Sequence, residues 1–299
     1  MKKISVKKIR DLNSVRAASG LVKIDGKFFV IADDDLSLAV FSLEPGSKDL
    51  FFPLSAGDLP TNHLERKKVK PDWEALVKVP PKYSPGEWLL VIPSGSKVNR
   101  QQGFYLSVQD LKFAKSINAN QPVDFTEIYE KLGETFTELN IEGACFTDSG
   151  FLLFQRGNGK SNQSALIELD AQEVIDDIKN QRPVQASWCK SIKHYDLGLI
   201  NDCPLSFTDA FNSQDTGVWF LAAAEKTDST YEDGAFCGSV LGRIDDTGQF
   251  SERYELDCPT KPEGLWVEKE SDGYRIYLVT DADDPEKVAS LYTAVIAFC

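Results

Sequence analysis

The chain has 299 residues, of which 42% are hydrophobic and 26% charged, so it can bury one large globular core. Its formal net charge of −13 makes nucleic-acid backbones and anionic membranes unfavourable partners. Because we find neither a secretory signal nor 18 consecutive apolar residues, we expect a cytoplasmic protein whose six cysteines are all reduced.

Five segments of similar pattern follow one another along the chain. They begin at Ala18, Asp72, Asn140, Phe207 and Pro262. Each contains a polar residue, here called the anchor, and then a small residue and a strand-like apolar run. The anchors are Ser19, Glu74, Glu142, Asp209 and Glu263. Their spacing is similar throughout, and the distance from the last anchor through both chain ends to the first one matches it, which indicates a closed ring of five units.

Each unit continues with a glycine-containing turn and further apolar runs. Glycine supplies the positive φ that tight hairpins need, so the runs are predicted to be hairpin-connected strands. Four strands in each unit predict an all-β, five-bladed β-propeller that forms one domain over residues 1–299. The N-terminal strand, residues 4–9, is expected to close the last blade beside residues 291–298. A β-sandwich or an open β-array is the alternative.

Three connecting segments carry their own predictions. Residues 63–71 (HLERKKVKP) are expected to form a basic connecting loop. Residues 125–132 (FTEIYEKL) are expected to form the outer strand of the second blade. Residues 170–181 (DAQEVIDDIKNQ) have helical spacing and predict a short surface helix.

The anchors predict a metal site. The first strand of each blade lines the central channel of a propeller, so the five anchors would meet at one mouth. Carboxylates at close range repel unless they are protonated or bound to a cation. Because oxygen ligands favour a hard cation and a flexible site suits Ca²⁺ better than Mg²⁺, we predict Ca²⁺ at this ring. The alternative is that these acids cap strand ends or pair with lysine and arginine.

The loops between second and third strands should open at the same mouth and contact a ligand. Candidate ligand-binding residues are Arg156, Lys160, Lys226 and Trp73. The arginine fork matches phosphate geometry, whereas the tryptophan would stack on a ligand ring or pack within its blade. Asp33 and Asp34 are candidate catalytic groups, as a base or a contact to metal-bound water, with a solvated acidic turn as the alternative.

Several of these segments resemble the soluble calcium-activated nucleotidases, or apyrases. The stretches SGLVKIDGKFFVIADDD, EGACFTDSGFLLFQRGNG and PEGLWV are similar to the first, third and fifth blades of that family. The stretch FTDAFNSQDTGVWFLAAAEK resembles its fourth blade, with Asp209 where the family has serine. The resemblance implies a five-bladed propeller with a central Ca²⁺. The long motifs that the family carries between these patches are not found here.

Two classes of function follow. The first is a calcium-binding propeller that binds a small phosphorylated or other anionic molecule and hydrolyses a phosphate ester or phosphoanhydride with help from the metal. The second is a non-catalytic propeller with structural calcium that serves as a binding platform. In both cases we expect a monomer that binds neither nucleic acid nor membrane.

Overall fold

The structure is a computed structural model that describes residues 1–113, 120–157, 163–213, 217–226, 234–245, 247–284 and 286–298. These residues form a five-bladed β-propeller, as the repeat predicts. Among them, no helix is both long and apolar enough to cross a membrane.

The strands of each blade follow one another along the chain. The N-terminal segment contains β1 (Lys2–Ser5) and β2 (Lys7–Asp11). Blade 1 contains β3 (Ala18–Ile24), β4 (Lys27–Ala32), β5 (Ser37–Ser42) and β6 (Leu50–Pro53). Blade 2 contains β7 (Trp73–Val79), β8 (Trp88–Pro93), β9 (Gln102–Ser107) and β10 (Asn120–Asp124). Blade 3 contains β11 (Ile141–Phe146), β12 (Phe151–Gln155), β13 (Ala165–Leu169) and β14 (Cys189–His194).

The last two blades have longer strands. Blade 4 contains the short β15 (Leu199–Ile200), β16 (Cys203–Ser213), β17 (Gly217–Lys226), β18 (Ala235–Ile244) and β19 (Phe250–Asp257). Blade 5 contains β20 (Lys261–Lys269), β21 (Gly273–Asp281) and β22 (Ser290–Ala297). Within each blade, successive strands pair in antiparallel fashion.

The innermost strands form a closed ring. They contact one another in the cyclic order β3, β7, β11, β16, β20 and back to β3. Over the described residues, the apolar core divides into five clusters, and each cluster lies between two neighbouring blades. Because every blade buries both faces against its neighbours, neither a sandwich nor an open array fits this packing.

The N-terminal segment closes the ring, as predicted, but it joins two blades. Strand β2 pairs antiparallel with β22 as the outer strand of blade 5, with Lys7 opposite Thr293. Strand β1 pairs in parallel with β19 of blade 4, and Ile4 is buried there. The closing residues therefore lie slightly later in the chain than predicted, and the residues before them cover a second blade edge.

Four helices connect these strands in the described ranges: α1 (His63–Val69), α2 (Val108–Phe113), α3 (Thr126–Gly133) and α4 (Ala171–Lys179). The basic loop predicted for residues 63–71 is thus wrong, because Asn62 caps a helix there by accepting a hydrogen bond from the Glu65 amide. The outer strand predicted for residues 125–132 is also wrong. Ile128 and Leu132 lie one helical turn apart and are both buried in α3, and β10 takes the outer position instead.

The helix predicted at residues 170–181 is confirmed as α4, and the Asp170 side chain caps it. Its Val174, Ile175 and Ile178 pack into the core between blades 2 and 3, so it is not merely a surface helix. The prediction of six reduced cysteines is wrong for one pair, since Cys203 and Cys237 form a disulfide within blade 4.

Candidate functional site

A bulge at the start of each innermost strand creates the ring of anchors. The pairing register shifts at Ser19, Glu74, Glu142, Thr208 and Glu263. A bulged residue leaves the regular ladder, and its side chain can be redirected. All five side chains are buried.

The blade 4 anchor is therefore Thr208 and not Asp209. Thr208 donates its hydroxyl to the Pro262 carbonyl at 2.9 Å, as Ser19 donates to the Trp73 carbonyl at 2.5 Å in blade 1. Asp209 occupies the position after the anchor, which elsewhere holds a small residue. Its carboxylate accepts a hydrogen bond from the Leu265 amide of the next blade at 2.6 Å.

The small residue after an anchor has a steric reason. A Cβ at Gly143 would lie 2.8 Å from the Ala210 amide nitrogen, and one at Gly20 would lie 2.7 Å from the Leu76 nitrogen. At Gly20 and Gly143 the neighbouring innermost strands thus approach so closely that only glycine fits without a shift. The equivalent position holds Ala75 in blade 2 and Asp209 in blade 4, where the Asp209 carboxylate bonds the neighbouring backbone.

A cavity of about 460 Å³ lies above the ring at the mouth. Its walls come from α1, from the segments that lead into the innermost strands and from loops between second and third strands, as predicted. Nine of the described lining residues are lysine or arginine and ten are aspartate or glutamate. The cavity is therefore far less acidic than the protein as a whole.

Buried cations neutralise two of the three ring glutamates. Arg156 binds Glu142 at 3.0 Å and Glu225 at 2.9 Å, so it joins blades 3 and 4. Lys261 binds Glu225 at 2.9 Å and Glu263 at 3.0 Å, and it also contacts Asp283 at 3.0 Å. The ion pairs thus form a continuous chain over blades 3, 4 and 5. Both terminal nitrogens of Arg156, Nη1 and Nη2, are therefore bound to carboxylates.

The third ring glutamate belongs to a different group. Within the described part of the chain, Asp33, Asp72 and Glu74 form a group of three carboxylates whose nearest oxygens all lie within 4.8 Å of one another. We call this group the carboxylate cluster. Lys70 contacts both Asp33 and Asp72, and Arg100 binds Asp72 at 2.7 Å.

Two residues of the carboxylate cluster have oxygens that lack partners. Glu74 is 6% exposed and lines the cavity, and its carboxylate makes no hydrogen bond or ion pair with any described residue. The Oδ1 atom of Asp33 is buried, also with no hydrogen-bond partner among the residues described. Buried carboxylate oxygens without partners are costly, so the cluster has unused capacity for a proton or a cation.

Several buried acid groups of the mouth, among them Glu74, Asp33 and Asp281, have raised pKa values. Burial, helped by the neighbouring Glu142 and Asp72 carboxylates, raises the pKa of Glu74 well above its usual range. Burial also raises the pKa of Asp33 to about 6. In the neighbouring blade 5, burial raises the pKa of Asp281 to about 8. Lysine and arginine therefore leave part of the negative charge uncompensated.

The side of the cavity formed by blades 1 and 2 is basic. Helix α1 and the loop before β9 contribute Arg66, Lys67, Lys68 and Lys97, which we call the basic rim. Burial and the nearby Arg100 guanidinium lower the pKa of Lys97, which indicates crowding of positive charge. The blade 5 side is acidic and presents Asp281, Asp283 and Asp284.

The structure gathers some of the predicted site residues. Asp33, Asp34, Glu74, Glu142, Arg156 and Glu263 all line the cavity. Asp34 binds Arg66 at 3.1 Å and thereby fixes α1. Of the five predicted calcium ligands, Glu74 alone belongs to the carboxylate cluster of the described chain.

Other predicted residues lie elsewhere. Trp73 is buried within blade 2, where its indole NH donates to the Gln102 carbonyl and its ring meets Phe104 edge-on, so its placement does not support stacking on a ligand. Lys226 is exposed at the end of β17. Lys160 lies outside the described residues.

Sequence reasoning missed four charged residues of the site: Lys70, Asp72, Glu225 and Lys261. A signal for two of them was present. Lys70 and Lys261 each precede a proline and lie shortly before a ring glutamate, in KPDWE and KPEG. The same local pattern in blades 2 and 5 places an ammonium group at the mouth: Lys261 binds the ring residue Glu263, and Lys70 contacts Asp33 and Asp72.

Residues 14–296 match the model of a family of unknown function, DUF6929. The chain belongs to this family. No curated protein matches it. Because DUF6929 has no assigned activity, the resemblance to calcium-activated nucleotidases stays a prediction.

Solved structures similar to this DUF6929 chain include a glycoside hydrolase candidate from Parabacteroides distasonis, with 10% identity over 97% of this chain and 96% of the other and a TM-score of 0.49. An exo-1,5-α-L-arabinanase from a bovine ruminal metagenomic library has 7% identity over 97% of both chains and a TM-score of 0.48. The WD40 propeller domain of Doa1 has 10% identity, coverages of 97% and 96%, and a TM-score of 0.39.

Proposed function

We propose that this protein binds a divalent cation, Ca²⁺, on the carboxylate cluster and a small phosphorylated anion beside it at the central mouth. The observation that carries this proposal is the composition of one cavity, in which buried, partly unpaired carboxylates lie next to the basic rim. The net charge of the protein is −13, yet nine lysine and arginine side chains among the described residues line that cavity.

The carboxylate cluster suits a hard cation. Asp33, Asp72 and Glu74 offer oxygen donors, and two of these residues have oxygens without partners. Oxygen-only sites favour Ca²⁺ or Mg²⁺, and a site whose donors come from two different blades can adapt its geometry, which favours Ca²⁺. When bound, such a cation polarises a phosphoryl oxygen and lowers the pKa of bound water.

The basic rim suits the anion. Lys68 and Lys97 lie on adjacent segments that are held together, since Asn99 donates to the Lys68 carbonyl and Arg100 donates to the Lys67 carbonyl at 2.7 Å. Positive charge in a cleft of an acidic protein steers small anions toward it. Asp34 holds Arg66 in place at this rim.

Hydrolysis of a phosphate ester or phosphoanhydride is the reaction class that this pairing of cation and anion site favours. A binding platform without catalysis is the second candidate. It is favoured by the ion pairs of Arg156 and Lys261, which link three blades and neutralise much of the carboxylate charge at the bottom of the cavity. A monomer that binds neither nucleic acid nor membrane completes the proposal. We propose a cytoplasmic location, which requires that the Cys203–Cys237 pair, a disulfide in the structure, is reduced in the cell.

Calorimetry and thermal unfolding test the proposal on metal-free protein. We expect Ca²⁺ to bind and raise the melting temperature, with a stabilisation of about 2.7 kcal/mol at a hundredfold excess over Kd. Glu74→Gln should abolish most of this response. Glu44→Gln, an exposed glutamate in the β5–β6 loop at the far end of blade 1, should leave it unchanged.

A substrate panel then separates the two candidates. Aryl phosphates and nucleoside triphosphates are incubated with the protein, with and without chelator. Chelator-sensitive hydrolysis that Glu74→Gln abolishes supports the enzyme. Calcium and phosphate binding without turnover supports the platform, and identical melting in Ca²⁺ and chelator rejects the proposed metal.

A further inference from the structure

We infer that Lys70 is a built-in competitor for the cation: its ammonium group lies among the carboxylates that would bind the metal and must leave for the metal to enter. This inference rests on the proposed function and adds to it a regulation of the same site. Either the Lys70 ammonium group or the metal then occupies the carboxylate cluster, and the two are never bound there together.

The contacts of Lys70 carry the inference. Its Nζ lies 2.8 Å from Asp72 Oδ1 and also contacts Asp33 Oδ2. Those two residues, with Glu74, are the described carboxylates close enough to share one ion. A cation that used the same Asp33 and Asp72 oxygens would occupy the position of the ammonium group, and two cations cannot share it.

The remaining bonds of Asp72 show which oxygen is available. Asp72 Oδ2 accepts from Arg100 at 2.7 Å, from Ser94 at 2.5 Å and from Ser96 at 3.1 Å. The ammonium of Lys70 contacts the other oxygen, Oδ1. When Lys70 leaves, Asp72 stays positioned by three hydrogen bonds while Oδ1 becomes available to a metal.

Charge balance also favours exchange over addition. Three carboxylates with Arg100 carry two negative charges, which a divalent cation neutralises completely. With Lys70 still in place, the same cation would leave the group positive. A buried site with uncompensated charge is costly, so the ammonium and the metal should exclude each other.

Lys70 is placed so that it can move. It is the C-terminal cap of α1, a helix without buried side chains, and it lines the cavity. A lysine has a flexible four-carbon stem that can carry its charge toward solvent. The displaced ammonium would then add to the basic rim.

The test compares Ca²⁺ affinities by calorimetry for wild type, Lys70→Met and Lys48→Met. Both substitutions remove one positive charge, but Lys48 is exposed in the β5–β6 loop and does not line the cavity. We expect Lys70→Met to tighten Ca²⁺ binding by roughly tenfold or more, and Lys48→Met to change it little. Equal or weaker binding to Lys70→Met overturns the inference while wild-type binding still supports the proposed metal. If no variant binds Ca²⁺, both are rejected.

A second measurement needs no variant and covers the case that Lys70→Met does not fold. Wild-type protein is acetylated briefly with and without Ca²⁺, and modification of each lysine is read by peptide mass spectrometry. Displacement predicts that Ca²⁺ increases modification of Lys70 severalfold and leaves that of the exposed Lys48, outside the cavity, unchanged. Unchanged or lower modification of Lys70 in saturating Ca²⁺ contradicts displacement.

Discussion

At the residue scale, the mouth is organised by which carboxylates have a cation and which do not. Glu142 is paired with Arg156 and Glu263 with Lys261, whereas Glu74 makes no hydrogen bond or ion pair with the described residues. The anchors in four blades could be predicted from the sequence because a polar residue before a small one marks the bulge. The blade 4 anchor could not be predicted, because Thr208 and Asp209 are both polar. Only the pairing of the strands shows that Thr208 is at the bulge and that Asp209 bonds the next blade.

Replacing Arg156 tests the ion-pair chain. Arg156→Met should lower the free energy of unfolding by about 3 to 5 kcal/mol, because it leaves Glu142 and Glu225 buried without their shared cation. Urea denaturation monitors the effect. Arg275→Met, which breaks the surface pair with Glu270, serves as the control and should cost less than about 1 kcal/mol. An equal decrease in the free energy of unfolding for both variants would show that the buried ion pairs of Arg156 stabilise the protein no more than a surface pair does.

Asp281 makes stability depend on pH. Its pKa rises from 3.8 in the unfolded chain to about 8 in the folded protein, so between these values the folded state holds a proton that the unfolded state lacks. Stability from this group is therefore full below about pH 4 and falls as pH rises toward 8. Urea unfolding from pH 5 to 8.5 with chelator should show that Asp281→Asn declines less steeply than wild type. Parallel profiles would contradict this assignment.

At the element scale, the helices were the hardest part to predict. Residues 125–132 contain β-branched and aromatic residues that suit a strand, yet the one-turn spacing of Ile128 and Leu132 places both on the buried face of α3. Helix α1 buries no side chain, so no apolar periodicity could reveal it. The strand hairpins were predictable because their turns contain glycine and their runs alternate with turns at regular spacing.

The N-terminal strands are expected to hold the ring closed. Deleting residues 1–5 removes β1 and exposes the edge of blade 4, and deleting residues 1–11 also removes β2 from blade 5. Calorimetric scans should show a lower melting temperature for the first deletion and a further fall, of roughly 5 °C or more in total, for the second. If the variant without residues 1–11 melted at the same temperature as the full-length protein, the N-terminal strands would not be needed to stabilise the ring.

The Cys203–Cys237 pair tests the cellular location. If the disulfide forms in the cell, alkylation before and after reduction should leave the peptides of these two cysteines labelled only after reduction. Buried Cys145, which has no disulfide, is the internal control and should be labelled on denaturation alone. A cytoplasmic protein is expected to keep both thiols reduced, so an oxidised pair in freshly lysed cells would contradict that location.

At the scale of the whole molecule, the propeller brings residues from distant blades to one mouth. Asp33 and Glu74 belong to different blades, and Lys261 binds Glu225 from another blade. Five-fold closure could be predicted because the anchor spacing continues through the chain ends. The partners of each anchor could not, because loop residues such as Arg100 and Glu225 have no fixed offset from the ring.

A crystal structure of the protein grown with Ca²⁺ tests the central claim most directly. We predict one ion bound by carboxylate oxygens of Asp33, Asp72 and Glu74 at about 2.3 to 2.6 Å, with the Lys70 ammonium withdrawn from Asp33. An ion centred among Glu74, Glu142 and Glu263 would contradict this assignment. So would a site without calcium in which Lys70 still joins Asp33 to Asp72.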